Sequence, residues 1–489
     1  MTVSWSGFEE RPDMVPAVQV EDAPDVYAAD VAALGMVLPA SIARCKEAGY
    51  LDEAARLCRD VLEHDPSSPL VPRLRLEWYR LARLAGEYCM PLDKAVAELA
   101  AAGAEVTVED VRALVAKGRI DVRFIAGKPY TLFYFLDTLS IYAAEVPGLA
   151  SADAADGDML APRRAMRDEM RRSGHAARDI TVRAAIEVQD VEPGDDVRIW
   201  LPVAAKAPQQ SRIEVLDASP EGRLAAADAP ARTMFWQFSG SGSRSVTFRY
   251  RIDAPYTDLW TPEGIAAACE RAQVAACEAP TESDYAQEAP HLAFTPLVRE
   301  IARAIRETAR DDSPLELARA AYDYVTTHVS YRYQPSYIQL DIIPDYCLAT
   351  GYGDCGVMAL TFITLCRCLG VAARWQSGLY AAPDCISPHD WAMFYTPKTG
   401  WLWADCSFGI GAHRAHDEEL RRFYFGNLDP WRTVFNRAFA APLEPAAEAI
   451  RRDPFDNQVG EAMVNGRSLD EEEFAYTVEL VDIAEVPSA

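Results

Sequence analysis

The spacing of apolar residues predicts helices in the first third of the chain. Between residues 29 and 150, apolar positions recur every three or four residues, which is typical of helices with one buried face. Residues 50–65 form one such segment, a Pro-Ser-Ser-Pro turn at 66–69 ends it, and residues 70–88 form the next. The pattern therefore predicts a helical domain over 29–150 that contains a helical hairpin.

The period of the pattern changes from helical spacing to two near residue 179. Five segments then alternate apolar and polar residues: DITVRAAIEV, DVRIWLPV, RIEVLDAS, TMFWQFSG and RSVTFRYRIDA. Such alternation is typical of half-buried strands, and turn-forming residues separate the segments. We predict an antiparallel β-sandwich module over 179–258, with a hairpin turn at GSGS (240–243).

Helices return near residue 292 and lead into an apolar helix followed by three strands. The predicted fold class is therefore a multidomain α+β chain. The predicted boundaries are a loose arm at 1–28, a helical domain at 29–150, a linker at 151–178, the β-sandwich module at 179–258, a helical linker at 259–291, an α+β core at 292–430 and a C-terminal extension at 431–489.

Charge narrows the classes of partner. The 489 residues include 48 basic and 74 acidic side chains, a net charge of -26, which disfavours binding to nucleic acid or to an anionic membrane. No apolar run is long enough for a membrane-spanning helix, and the first residues lack the basic and apolar regions of a secretory signal. We expect a cytoplasmic protein. Since 6 of the 48 basic residues are Lys and Ala is abundant, we interpret the source as a GC-rich bacterium.

The cysteines indicate thiol chemistry rather than disulfides. There are 11 of them, an odd number, at irregular spacing and without C-x-x-C. In a cytosolic protein most should be reduced, so that one can act as a nucleophile.

Cys355 is the candidate nucleophile. It opens an apolar helical run that Gly370 ends. A thiol in the first turn of a helix lies at the positive end of the helix dipole, so we expect a lowered thiol pKa.

His389 and Asp405 complete the constellation. They lie on consecutive predicted strands, and the turn at 397–400 falls near the midpoint between them, so they should face each other across the pair. A helix packed across that sheet would bring Cys355 to the imidazole. The three side chains would then be nucleophile, general base and orienting carboxylate. Asp354 and Asp390 flank this set and are interpreted as turn and strand-edge groups.

These motifs resemble a known family. Gly-Asp-Cys (353–355), Leu-Gly-Val-x-Ala-Arg (369–374), His-Asp-Trp (389–391) and Trp-Leu-Trp-Ala-Asp (401–405) are similar to the transglutaminase-like core, a circularly rearranged relative of the papain fold. The resemblance covers 292–430. The β module also resembles the N-terminal domain of bacterial members.

The resemblance implies acyl transfer on amide bonds. Cys355 would form a thioester, which water or an amine would resolve. An oxyanion hole would combine the backbone N–H of Cys355 with a side chain upstream of the helix, for which Tyr331 and Gln334 are the candidates and Tyr333 lies close behind. Trp391 and Trp403 are candidates for lining a substrate groove, with core packing as the alternative.

A zinc site is the alternative chemistry. His413 and His416 lie three apart, with Cys385 and Cys406 nearby, but the spacing matches no common zinc motif. We expect no metal and no cofactor, and we interpret Cys406 as a structural residue on the strand that holds Asp405.

Three hypotheses for function follow. The first is hydrolysis of peptide or protein amide bonds by a cysteine protease or amidase. The second is a protein-glutamine transglutaminase or deamidase with the same chemistry. The third is a catalytically silent binding or scaffold protein, in which the N-terminal helices recruit a protein partner.

Overall fold

A computed structural model describes residues 2–5, 18–21, 25–150, 160–274, 278–288, 290–470 and 473–487. The helices are α1 Ala40–Glu47, α2 Leu51–His64, α3 Val71–Glu87, α4 Leu92–Ala101, α5 Val108–Ala116, α6 Phe135–Ile141, α7 Ala161–Ser173, α8 Pro262–Val274, α9 Pro296–Thr308, α10 Pro314–His328, α11 Ile343–Thr350, α12 Cys355–Cys368, α13 Cys406–Arg414 and α14 Glu418–Phe423. The strands are β1 Thr2–Trp5, β2 Met90–Pro91, β3 Val122–Ile125, β4 Lys128–Thr131, β5 His175–Val188, β6 Asp196–Pro202, β7 Gln210–Ala218, β8 Arg223–Leu224, β9 Thr233–Ser239, β10 Gly242–Pro255, β11 Ser330–Tyr331, β12 Tyr352–Gly353, β13 Ala373–Ala382, β14 Cys385–Thr396, β15 Gly400–Ala404, β16 Arg432–Asn436, β17 Glu461–Val464, β18 Arg467–Ser468 and β19 Phe474–Glu485.

The N-terminal domain is built around the α2–α3 hairpin that the apolar spacing predicts. Leu51, Cys58, Leu74 and Leu81 are among the residues that form its buried contact. A small sheet in the order β2-β4-β3 also lies within this domain, which the sequence analysis describes as wholly helical. Its strands have two to four residues, too short to display a period of two.

The β module is a sandwich whose two sheets are assembled from distant parts of the chain. One sheet has the order β1-β19-β5-β10-β7 and the other β18-β17-β6-β9-β8. The expected boundaries are therefore wrong at both termini: residues 2–5 form a strand, and β17 to β19 complete both sheets rather than forming a separate extension. The long β5 would otherwise present an unpaired edge, and β19 covers it.

The GSGS segment is not the turn of a hairpin. β9 and β10 flank it but lie in different sheets, since β9 pairs with β6 and β10 pairs with β5. Gly240, with φ of 75°, instead lets the chain cross from one sheet to the other in two residues.

The core that follows is an α+β unit, as expected. Its sheet has the order β15-β14-β13-β16, and α12 packs on it, with Val357 and Leu360 of the helix in one buried cluster with Phe394 of β14. β16 pairs with β13, so the core extends beyond residue 430.

β15 ends earlier than the sequence predicts. Asp405 accepts a hydrogen bond from the backbone N–H of Phe408 at 2.9 Å, which makes it the N-cap of α13. Cys406 is consequently the first residue of a helix, and its placement on the strand is wrong.

No single helix in the described ranges is long and apolar enough to cross a membrane. The bent pair Ala28–Gly35 and Ala40–Glu47 passes that test jointly, by length and composition alone.

Candidate active site

Cys355 lies where the sequence places it, at the first position of α12. The Asp354 carboxylate accepts a hydrogen bond from the Val357 backbone N–H at 2.9 Å and so caps the helix. Gly370 follows the end of the helix with φ of 86°, a conformation that glycine adopts without strain.

His389 and Asp405 meet, as the sequence predicts, but they are not directly opposite each other. β14 and β15 pair Ala392 with Ala404, so Asp405, the residue after β15, is two residues out of register with His389. The His389 Nε2 atom lies 2.8 Å from Asp405 Oδ2. The same oxygen accepts a hydrogen bond from Arg432 Nη1 at 2.8 Å, and Arg432 also binds Asp429. Both members of the His389–Asp405 pair are buried. Within the described residues the other ring nitrogen, Nδ1, makes no hydrogen bond, which leaves it for a thiol or a substrate.

Charge and burial together favour the deprotonated form of both members of this pair. Burial raises the pKa of Asp405, but His389 and Arg432 outweigh it and hold that pKa well below its usual range. Burial lowers the pKa of His389, and Asp405 only partly offsets this effect. An ionised Asp405 beside a neutral His389 is the state that a general base requires.

The thiol of Cys355 does not bond to His389. It donates a hydrogen bond to Asp390 Oδ2 at 3.1 Å, and the described residues hold no hydrogen bond between Cys355 and the imidazole. The expectation of a lowered thiol pKa is also wrong. Burial, Asp390 and Asp354 raise the pKa of Cys355 well above its usual value.

Asp390 belongs to a buried polar network that no local sequence pattern indicates. Gln458 Nε2 donates to Asp390 Oδ1 at 2.9 Å and to the carbonyl of the preceding histidine at 3.0 Å. A side-chain hydrogen bond also joins Asp390 to Asp456, so one proton is shared between two carboxyl groups. Asp456 in turn accepts hydrogen bonds from Ser377 at 2.5 Å and Asn436 at 2.7 Å. The interpretation of Asp390 as a strand-edge group is therefore wrong.

Tyr331 remains a candidate oxyanion donor, whereas Gln334 does not. Among the charged groups that raise the pKa of Tyr331, Cys355 has the largest effect, so the phenol lies near the thiol. Gln334 instead turns back on its own loop and donates to the carbonyl of Arg332 at 2.6 Å, and its Oε1 is buried without a partner among the described residues.

Tyr337 is a further neighbour of the thiol, and no sequence motif indicates it. Its hydroxyl donates to Asp354 at 2.6 Å, and a Cβ added at Gly356 would approach that hydroxyl to 2.0 Å. The glycine next to the candidate nucleophile is thus required by the close approach of a tyrosine.

The two groove candidates lie in the core. Trp391 is fully buried, and its Nε1 donates to Gln376 at 2.8 Å. Trp403 packs in the same apolar cluster with Met393, and its Nε1 is buried. The prediction that Trp391 lines a groove is wrong, and the core-packing alternative describes it. Trp403 is mostly buried in the same cluster, but it also lines a small cavity with Leu428 and Arg432. The described residues contain no group of three His, Cys, Asp or Glu side chains placed to hold a metal ion.

The N-terminal domain contacts the loop that leads to the thiol. Arg80 donates to the carbonyls of Ile338 at 2.7 Å and Gln339 at 3.1 Å. The Tyr142 hydroxyl donates to the Tyr331 carbonyl at 2.7 Å. A domain remote in sequence therefore fixes the loop that holds the candidate oxyanion donor.

Comparison with known proteins agrees with this geometry. Residues 299–406 match the family model of the Transglutaminase-like superfamily, a range that contains Cys355, His389 and Asp405. This chain contains a transglutaminase-like core. The match supports cysteine-based catalysis, and no curated protein matches the chain.

Solved structures show low similarity to this chain. A protein from Cytophaga hutchinsonii with a provisional assignment as a cysteine protease is 14% identical, with a TM-score of 0.37, and the alignment covers 64% of this chain and 92% of that one. The periplasmic domain of TgpA from Pseudomonas aeruginosa is also 14% identical, with a TM-score of 0.26 and coverage of 53% and 96%.

Proposed function

We propose that this transglutaminase-like chain is a cysteine hydrolase that cleaves amide bonds of peptide or protein substrates through a thioester. The observation that carries the proposal is the 2.8 Å contact between His389 Nε2 and Asp405 Oδ2. A carboxylate on one ring nitrogen fixes the tautomer and leaves the other nitrogen to accept a proton. Cys355, in the same matched segment, is the thiol that would donate it.

The reaction begins when the thiol turns from Asp390 to His389 and transfers its proton to Nδ1. The thiolate attacks the amide carbonyl carbon, and the negative charge moves to the carbonyl oxygen. The backbone N–H of Cys355 and the Tyr331 hydroxyl would stabilise that charge. His389 then gives the proton to the leaving amine as the C–N bond breaks. Water loses a proton to His389, attacks the thioester and releases the acid, and the thiol is restored.

Two alternatives share parts of this arrangement. An amine in place of water would make the chain a transglutaminase, and water attack on a glutamine thioester would make it a deamidase. A catalytically silent binding protein is favoured by the hydrogen bond from Cys355 to Asp390, because a protonated thiol is a poor nucleophile. We favour hydrolysis because it needs no second substrate.

The first experiment measures alkylation of Cys355 by iodoacetamide between pH 4 and 10, with sites assigned by peptide mass spectrometry. Wild type is compared with His389→Ala, Asp405→Asn and Cys355→Ala. We expect His389→Ala to slow labelling of Cys355 by at least about tenfold near pH 8, because the thiolate then lacks its imidazolium partner. Buried Cys366 is the internal control and should label equally slowly in every variant.

Product analysis separates the alternatives. Casein is incubated with the protein in the presence and absence of dansylcadaverine. New peptide N-termini that Cys355→Ala does not produce support hydrolysis, whereas incorporation of the amine supports transfer. Labelling of Cys355 that is the same with and without His389 would favour the silent binding protein.

We also propose that the protein acts in the bacterial cytoplasm without a cofactor, and that the N-terminal helices are available to a protein partner. Its net charge of -26 argues against a nucleic-acid or membrane partner. Cell fractionation and pull-down with the full chain test these expectations.

A further inference from the structure

The arginines of helix α7 differ in how their charges are satisfied. Arg164 binds Asp417 at 2.6 Å, and Arg167 binds Asp168 at 2.8 Å. Arg163, on the same helix, has no carboxylate within ion-pair distance anywhere in the described part of the chain. This arginine is half-buried, so the missing partner is not explained by full exposure to water.

Aromatic rings hold Arg163 in place of a carboxylate. Its guanidinium carbon lies 3.7 Å from the ring centre of Phe408 and 5.2 Å from that of Tyr380. Stacking on rings fixes the plane of a guanidinium but leaves its N–H groups free to bind. The Tyr380 hydroxyl is a hydrogen-bond neighbour of Arg163, but a single neutral oxygen does not neutralise the charge. The charge of Asp429 also acts on Arg163, but from beyond ion-pair distance, because Asp429 is bound by Arg432.

A shared phenyl ring connects this arginine to the candidate general base. The ring centre of Phe408 is 4.4 Å from that of His389, so the guanidinium and the imidazole contact the same phenyl ring. The charge of Arg163 also acts on Cys385, at the start of β14. Arg163 therefore lies at the end of the sheet where β14 begins and His389 follows.

Arg163 and Arg432 differ in how the protein satisfies their charges. The charges of both arginines act on His389. Arg432 is fully buried and is bound by Asp405 and Asp429, so its charge is neutralised within the protein. Arg163 keeps a flat, stacked fork of donors near the same histidine, which is the geometry that binds a carboxylate through two parallel hydrogen bonds.

We propose that Arg163 binds a carboxylate of the substrate, so that the preferred substrates are peptides with an acidic side chain or a free C-terminal carboxylate close to the scissile amide. This inference rests on the proposed function, because it assumes that Cys355 and His389 act on an amide. Arg163 is a specificity residue and takes no part in proton transfer.

The charge of the alkylating reagent tests the proposal without a known substrate. Iodoacetate carries a carboxylate and iodoacetamide does not, while both form the same thioether bond with release of iodide. We measure the ratio of their rates at Cys355 in the full chain at low salt. Arg163→Gln should lower the iodoacetate-to-iodoacetamide ratio by about 3- to 10-fold, as expected for one charge that acts at short range near a protein surface. Because the ratio is taken at one thiol, a change in thiolate fraction cancels.

The matched control is Arg164→Gln, which removes the same charge from the next residue, where Asp417 already binds it. Its ratio should equal that of wild type, and Arg163→Lys should retain most of the wild-type ratio. Thermal melting shows whether each variant is folded. An unchanged ratio in folded Arg163→Gln, or an equal fall in Arg164→Gln, would overturn the proposal while leaving the proposed function intact. Labelling of Cys355 that does not depend on His389 would instead count against the proposed function.

Two protecting ligands distinguish the source of the carboxylate. N-acetylglutamate α-amide represents an acidic side chain, N-acetylglycine represents a free C-terminus, and N-acetylglutamine α-amide is the neutral control. Protection of Cys355 from iodoacetamide by either acid, lost in Arg163→Gln, supports the proposal and identifies the source. Protection by neither at 50-fold excess over the reagent, or protection that Arg163→Gln does not change, contradicts it.

Discussion

The Cys355 thiol donates its hydrogen bond to Asp390, the residue next to His389, over 3.1 Å. His389 is meanwhile paired with Asp405, so the thiol and the imidazole each have a carboxylate partner and are not bonded to each other. This is a resting arrangement, because a carboxylate that accepts from a thiol also opposes its ionisation. In the proposed mechanism, activation requires the thiol to exchange Asp390 for His389.

Replacing Asp390 should release the thiol. In Asp390→Asn a neutral amide stands where a carboxylate now opposes ionisation, so the pKa of Cys355 should fall. We expect the midpoint of iodoacetamide labelling at Cys355 to move to lower pH by at least about one unit, the lower end of what one close charge does. The measurement is the labelling rate against pH by peptide mass spectrometry.

The control for this prediction is Asp384→Asn. Asp384 is an exposed carboxyl in the turn between β13 and β14, close in sequence to Asp390 but outside the network around the thiol. Its labelling curve should match that of wild type. A midpoint that stays in place in Asp390→Asn would mean that burial alone holds the thiol protonated.

Arg432 should be required for the stability of the pair that Asp405 forms with the imidazole. In Arg432→Met both Asp405 and Asp429 lose a buried cation, and breaking a buried ion pair on one side costs about 3–5 kcal/mol. We expect a loss of that size in the free energy of unfolding by urea. Arg422→Met removes an arginine that is 51% exposed and pairs with Glu418, so it should cost less than about 1 kcal/mol. Equal losses in the two variants would show that the buried ion pairs of Arg432 stabilise the protein no more than an exposed pair does.

Asp456, the second carboxyl group of the network around Asp390, should make the free energy of unfolding depend on pH. Burial raises the pKa of Asp456 to about 6, against a usual value of 3.8. A raised pKa contributes stability that is fully present below pH 3.8, where the carboxyl is protonated, and that is lost as pH rises through about 6. Asp456→Asn cannot ionise, and its amide can donate to Asp390 where the shared proton now lies.

Asp456→Asn should therefore become more stable relative to wild type as pH rises from about 4 to about 6, and the difference should then level off, at no more than about 3 kcal/mol. Urea unfolding at several pH values measures it. Asp217→Asn, on an exposed position of β7, should follow the wild-type curve. A constant difference between Asp456→Asn and wild type across this window would contradict a shared proton.

Local patterns predict the parts of the site that depend on neighbouring residues. The N-cap before Cys355 and the glycine after the helix define α12, and the short β14–β15 hairpin brings Asp405, just past the end of β15, close to His389. These are short-range relationships, and periodicity records them. The amphipathic spacing of α2 and α3 is predicted for the same reason.

The rest of the site depends on contacts between distant segments. Asp456 and Gln458 come from the predicted C-terminal extension and meet Asp390 in the core, and Arg163 comes from the predicted linker. Single-sequence patterns do not record which distant residue meets a given strand face. The strand β19 of the sandwich is easier to predict from the sequence, because FAYTVEL alternates buried and half-buried positions.

A buried ion cluster connects the N-terminal domain to the loop beside the thiol. Glu77 is fully buried and binds Lys46 at 2.6 Å, Arg73 at 2.5 Å and Arg80 at 2.7 Å. Arg80, held in this way, donates to the carbonyl of Ile338 in that loop. Glu77 thus orients the arginine that fixes the loop from another domain.

Glu77→Gln should destabilise the protein in a way that depends on pH. Burial raises the pKa of Glu77, but Arg80, Lys46 and Arg73 outweigh it and lower that pKa to about 2, against a usual 4.5. A lowered pKa contributes stability that is complete above pH 4.5 and is lost as pH falls toward 2. We expect Glu77→Gln to lose about 3 kcal/mol at pH 7 in urea unfolding, and the difference from wild type to shrink below pH 4.5.

Glu53→Gln breaks an ion pair that lies at the surface, about half exposed on both sides, so its unfolding curve should match that of wild type at either pH. If Glu77→Gln costs the same at pH 3 and pH 7, the cluster stabilises the loop through packing and not through charge.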